Sequence, residues 1–203
     1  MRYLLVTLFL CSLFINVHTG ASVSNRLNRN FSKSADSSLV DLSKKILILI
    51  KQGEYFKLGK YFHPKDGVRF SPYGYIDTAS DMIFSQQYFL DCFSRLKPKY
   101  YFWGFADGSG DSICLPIKEY FKRFVYDADF ANAEKLSLNT SLGHGNSPNN
   151  IEAIYPGLEY TESYFSGFDE KLSGMDWRAL RLVFKDYEGK SYLVAIIHDE
   201  WTI

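Results

Sequence analysis

The sequence lacks most of the features that would name an activity outright. Its formal net charge is zero over 203 residues, so no basic excess exists to neutralise phosphates, which argues against a nucleic-acid partner. Cysteine is scarce. Of the three present, Cys11 lies in an apolar N-terminal run, leaving Cys92 and Cys114 for the rest of the chain. That is enough for one bridge but no disulfide framework. Neither thiol has a cationic neighbour in sequence to lower its pKa, so a catalytic thiol is not expected. Both fall in apolar stretches, and two separately buried thiols are favoured over a bridge. His63, His144 and His198 are scattered without ligand spacing, so no metal centre and no cofactor are expected. No internal repeat is visible.

Long hydrophobic runs are also missing, with one exception. From Leu4 to Val17 the chain is almost wholly apolar, preceded by Arg2 and followed by His18-Thr19-Gly20-Ala21. This is the layout of a secretory signal peptide, with Thr19 and Ala21 at the −3 and −1 positions. The run is shorter than the roughly 20 residues of a spanning helix, and no second one follows. The expectation is an exported protein, secreted or periplasmic, cleaved after Ala21 and without an integral membrane segment. Phe9-Leu10 before Cys11 fits lipoprotein processing poorly. Loss of Arg2 with the leader leaves the rest at −1.

Aromatic residues are abundant, at 17%. Their first use is a core filled by rings, their second a ligand pocket or sugar-binding surface. Residues 22–36 are polar and predict a flexible tether, leaving 37–203 as one domain, long enough for a sizeable core. Apolar residues at helical spacing predict a helix over 38–52, capped by Ser38 with Asp41 and stopped by Gly53. A short helix over 54–62 follows, then an extended segment over 67–76 that Pro72 confines to a sheet edge or irregular structure. A helix over 85–96, a strand over 99–105, a turn at 107–111 and a helix over 118–126 come next. The Asn/Ser/Gly-rich stretch 139–150 predicts a surface loop. Strands over 158–168, 177–186 and 190–201 close the chain, giving an α+β fold.

Between the last two strands stands Tyr187-Glu188-Gly189. A two-residue turn requires positive φ at Glu188, so a three-residue loop with a bulge at Gly189 is expected. That register pairs Phe184 with Tyr192, Leu182 with Val194, Leu180 with Ile196 and Arg178 with His198. One face then carries Leu180, Leu182, Phe184, Tyr192, Val194 and Ile196 and ends in Arg178 and His198. Arg181, Lys185, Ser191 and Asp199 take the other.

The segment His63-Pro-Lys-Asp-Gly-Val-Arg-Phe-Ser-Pro-Tyr73 and the closing run from Met175-Asp-Trp-Arg178 to Ile197-His-Asp-Glu-Trp-Thr202 resemble a known group. They resemble secreted bacterial proteins of unassigned function with a nuclear-transport-factor-like, or cystatin-like, cone fold. The resemblance covers 37–203. It implies N-terminal helices packed on a curved antiparallel sheet that ends in a C-terminal hairpin, with a pocket between them. It brings no catalytic residue set, because the fold hosts isomerases, dehydratases and binding domains alike.

The candidate ligand-binding residues are Arg178, His198, Asp199, Tyr192 and Trp177. Arg178 would hold an anionic or polar ligand group, His198 would act as base or hydrogen-bonding group, and the rings would form the rim; a hydrogen-bonded end to the sheet is the bland alternative. His63 is a helix-end residue by default. Asp107-Gly-Ser-Gly-Asp111 opens like a calcium loop, but Ser112 and Lys118 stand where its glycine and closing glutamate belong, so it is a turn. The favoured expectation is a non-catalytic domain binding a small molecule or glycan. A ketosteroid-isomerase or SnoaL-like enzyme and a protein–protein interaction module are the alternatives.

Overall fold

The computed structural model describes residues 38–145 and 148–202. The expected leader over 1–21 and tether over 22–36 lie outside the described residues. Helix α1 spans 38–51. Ser38 is already helical rather than the cap. Leu39, Ile46, Leu47 and Ile50 are buried, as a 3.6-residue period requires. Helix α2 (Tyr55–Leu58) runs into a 3₁₀ turn that ends before His63-Pro64. Helix α3 (Gln86–Ser94) is capped by Ser85, whose hydroxyl accepts from the Tyr88 amide at 3.2 Å. Helix α4 (Ile117–Phe124) and the short α5 (Ile151–Ile154) complete the helices. None is long and apolar enough to cross a membrane, among the described residues.

Among the described residues, eight strands make two sheets: β1 (Val68–Ser71), β2 (Met82–Phe84), β3 (Tyr100–Phe105), β4 (Ser112–Pro116), β5 (Lys135–Leu138), β6 (Glu159–Phe165), β7 (Arg178–Tyr187) and β8 (Lys190–Glu200). The order in the larger sheet is β2-β1-β8-β7-β6-β5, while β3 and β4 form a separate ribbon. Every pairing is antiparallel except β1 with β8. The protein is α+β, with a mostly antiparallel sheet ending in the expected hairpin. Strand β1 is internal, not an edge. It ends at Ser71, so Pro72 removes no ladder hydrogen bond. Strand β2 is only three residues long and β5 carries no β-branched or aromatic residue, so neither was legible in sequence.

The hairpin departs from the expected register. Glu188 and Gly189 both adopt positive φ, 52° and 76°, in a two-residue turn that pairs Tyr187 with Lys190. Such a turn matches the twist of the strands, and the strain falls on Glu188 alone. A bulge at Val194 then shifts the ladder, so Arg178 faces Glu200 and Leu180 faces His198. Relative to the expected pairing this is a slip of two residues, and an even slip preserves faces. Leu180, Leu182, Phe184 and Ile196 therefore join the main core, as expected, but Leu193 takes the place assigned to Tyr192 and Val194. Val194 and its neighbour Ala195 turn to a second apolar cluster on the opposite face, with Ile76, Ile151 and Val183.

The main core is built from rings. Phe62, Phe70 and Phe121 each pack within 6.4 Å of Phe89, and Trp103 stacks on Tyr120 at 3.7 Å. Residues of α1 share this core with those of β7 and β8, and Ser43 bonds Thr161 of β6 at 2.6 Å. The two thiols are separate, but only Cys92 is buried; Ile113 takes the inward position on β4 and turns Cys114 outward. Cys92 Sγ lies 2.9 Å from the Tyr101 hydroxyl.

Candidate functional site

The five residues singled out in sequence are distributed over three places. Arg178 and His198 converge at the end of β7 and β8, although they are not cross-strand partners. Arg178 Nε donates to Asp127 Oδ2 at 2.8 Å, and His198 Nε2 donates to Asp127 Oδ1 at 3.1 Å. Glu200 joins through Arg178 at 3.2 Å and Arg123 at 2.5 Å. Burial works to raise the Asp127 carboxyl, but the His198 hydrogen bond and the Arg178 guanidinium outweigh it and hold the group below its ordinary range. Asp127, His198 and Glu200 offer ligand atoms within 4.8 Å of one another. Their oxygens already serve two guanidinium groups and an imidazole, so their chemistry is that of a closed ionic cluster.

Asp199 lies on the opposite face of β8. It accepts from Arg181 Nη2 at 2.8 Å, while Arg181 Nε bonds Glu162 at 2.5 Å. Arg181 and Glu162 are fully buried. What covers them is the stretch expected to be a surface loop: the Leu142 and Gly143 amides donate to Glu162 Oε1 at 2.6 and 2.8 Å. Trp177 is buried against the same loop, at Gly143 and Gly145. Tyr192 is at the far end of the hairpin, beside Tyr187 and His63. His63 is buried and its Nδ1 accepts the Asp66 amide at 2.9 Å, so it orders the turn after the helix.

A cleft of about 450 Å³ opens elsewhere. Its walls are the segment after β1 (Pro72, Tyr73, Tyr75), the turn before β2 (Asp77, Ser80, Asp81) and the end of β3 (Trp103, Gly104, Phe105, Asp107). Local chemistry explains how each wall forms. Gly104 has φ of 109° at a break in the β3–β4 ladder, a conformation that L side chains rarely adopt. The bend turns Trp103 into the core and leaves Phe105 exposed. Asp77 caps its own turn, accepting from the Ala79 amide at 3.0 Å and the Ser80 hydroxyl at 2.6 Å. The Tyr73–Tyr75 wall is fixed from behind: the Pro72 carbonyl lies 3.1 Å from His198 Nδ1, and Gly74 packs directly on the Asp199 carboxylate. Of the residues read from sequence as the site, His198 and Asp199 thus support a wall of the cleft, and none of the five lines it.

Asp81 is the chemically distinctive group in the cleft. Its carboxylate accepts from Ser71 Oγ and is in no ion pair among the described residues. Burial pushes its pKa up to about 7, with Ser71 and the more distant Arg69 acting only as partial compensation. Beneath it, the fully buried Tyr120 hydroxyl has no hydrogen-bond partner among the described residues and lies within electrostatic reach of Asp81 and Tyr73. From sequence alone, Asp81 was one aspartate in an unassigned turn. The only signal was the clustering of Tyr73, Tyr75, Asp77 and Asp81 after an extended segment.

Comparison with protein-family models, with curated proteins and with solved structures finds no match to the chain.

Proposed function

We propose that the chain is an exported ligand-binding domain without chemistry of its own, built on a cone-like fold of the nuclear-transport-factor-like kind, and that the ligand occupies the Tyr73–Asp81–Phe105 cleft. The observation that carries this reading is the convergence of Tyr73, Tyr75, Trp103 and Phe105 with Asp77, Asp81 and Asp107, drawn from two stretches separated in sequence. Rings supply contact area at small entropic loss, and carboxylates fix orientation. The row of exposed rings continues from Phe105 to Phe102, 5.2 Å away on the ribbon, which suits an extended ligand. The export half of the proposal rests on the Arg2, Leu4–Val17 and Thr19–Ala21 layout.

The test is a thermal-shift screen of small molecules and short saccharides on the parent, Tyr75→Ala and Phe105→Ala. Both variants remove exposed rings and should fold. A ligand that raises the parent Tm and loses its effect in both variants supports the cleft. A ligand whose effect survives both substitutions moves the site elsewhere.

A second reading has one specific observation behind it. A carboxyl near 7 inside a cleft is matched to general-base catalysis at neutral pH, as in a ketosteroid-isomerase-like enzyme. A bound ligand converted by the parent and left intact by Asp81→Asn, with affinity retained, would favour the enzyme over the binding domain.

A further inference from the structure

We infer that the ligand of this cleft is an organic cation, an alkyl- or arylammonium group seated between the tyrosine and phenylalanine rings and facing Asp81. The inference rests on the binding role proposed for the same cleft and adds the ligand's charge. Among the residues lining the cleft, Asp77, Asp81 and Asp107 are acidic and none is lysine, arginine or histidine. Two other hollows of similar size differ. One carries Arg69 and Lys185 beside Asp66, and the other carries Arg95, Lys99 and Lys118 beside Glu119. A bias toward one sign in a concave, ring-lined site attracts the opposite charge.

Two features make Asp81 the anchor. Its carboxylate accepts from the Ser71 hydroxyl and makes no ion pair among the described residues, whereas Asp77 is already satisfied by its own turn. Asp107 accepts from Thr202 at 2.7 Å. The nearest cation that Asp81 feels is Arg69, whose guanidinium donates to the Tyr155 hydroxyl at 3.2 Å and makes no ion pair with Asp81. The Tyr120 hydroxyl, buried without a partner behind Trp103, adds an oxygen dipole at the same end. A carboxylate held out of water without a counter-ion is unfavourable until a cation arrives. The faces of Tyr75 and Phe105, exposed beside it, stabilise the same charge by cation–π attraction. An anionic ligand meets the opposite conditions.

Calorimetric titration distinguishes the cases with three probes: choline, its uncharged isostere 3,3-dimethylbutan-1-ol, and maltotriose as a neutral saccharide. Choline should bind at least about tenfold tighter than the isostere, and Asp81→Asn should remove that preference. Phe105→Ala, at an exposed position, should weaken choline without altering the fold. Binding of the isostere or of maltotriose equal to or tighter than choline, and sensitive to Phe105→Ala, overturns the cation inference and leaves the binding reading standing. No heat from any of the three at millimolar concentration overturns both.

Discussion

Asp199 and Asp81 are two carboxyls carried out of water in one molecule, and their surroundings treat them oppositely. In both, burial is the largest influence and raises the pKa. Asp199 meets the Arg181 guanidinium at 2.8 Å, inside a buried Glu162–Arg181–Asp199 array sealed by the backbone amides of residues 142 and 143. Asp81 meets a serine hydroxyl and the wall of an open cleft. The first arrangement pairs its charges internally, with Arg181 Nη1 alone of its guanidinium nitrogens left without a partner among the described residues, and therefore acts as architecture. The second leaves its charge to be completed from outside, which is the condition for a ligand site. Charged residues alone do not separate the two; the presence of a partner does.

The comparison breaks most visibly at Arg181. Arg181→Ala should destabilise the domain by about 3–5 kcal/mol in urea unfolding, because it strands two buried carboxylates. A loss near zero would remove the distinction between the two regions. Asp81→Asn should act with opposite sign. A carboxyl whose folded pKa is raised from the ordinary value to about 7 gives stability that is present below about pH 4 and lost as pH rises through about 7. The amide imitates the neutral form, so the variant should be more stable than the parent by up to about 4 kcal/mol at pH 8 and equal to it at pH 4. Melting curves at the two pH values check this.

His198→Ala should cost about 1–2 kcal/mol, since it removes the imidazole contact of Asp127 Oδ1 and of the Pro72 carbonyl, leaving Asp127 to Arg178. It should also weaken binding in the cleft by loosening the Tyr73–Tyr75 wall. Unchanged Tm with lost affinity would instead return His198 to the ligand. The Asp127 cluster has its own pH signature. A lowered carboxyl contributes stability above the ordinary carboxylate range that is lost as pH falls through its folded value, so its contribution should fade on acidification below about pH 4. The smallest effect concerns the turn: Glu188→Asn should stabilise by under about 1 kcal/mol, because asparagine tolerates the positive φ that strains glutamate.

Much of the fold was legible because strong periodicity announces itself. The helix over 38–51, the helix capped by Ser85, the strand over Tyr100–Phe105 and the terminal hairpin all follow from pattern and punctuation. The hairpin register was not legible, because the bulge at Val194 lies inside the unbroken run Leu193–Ile197, where no alternation marks it. The polar end of that run was read as a site from residue type alone. Arg178 and His198 do meet, but through Asp127, more than fifty residues away from Arg178 in sequence. Asp81 escaped notice because its character comes from burial and from the absence of a counter-ion, and neither is written locally in Ser80-Asp81-Met82.

The central claim is that Asp81 is an unpaired carboxyl poised in the cleft, and its own titration tests that most directly. Carbon-detected NMR of the aspartate side chains, followed from pH 3 to 9 and assigned with Asp81→Asn, reads each carboxyl separately. The account predicts a midpoint near 7 for Asp81 in the free protein and a lower midpoint when choline is present, because a bound cation favours the ionised form. A midpoint in the ordinary aspartate range near 4, unchanged by the cation, would contradict it.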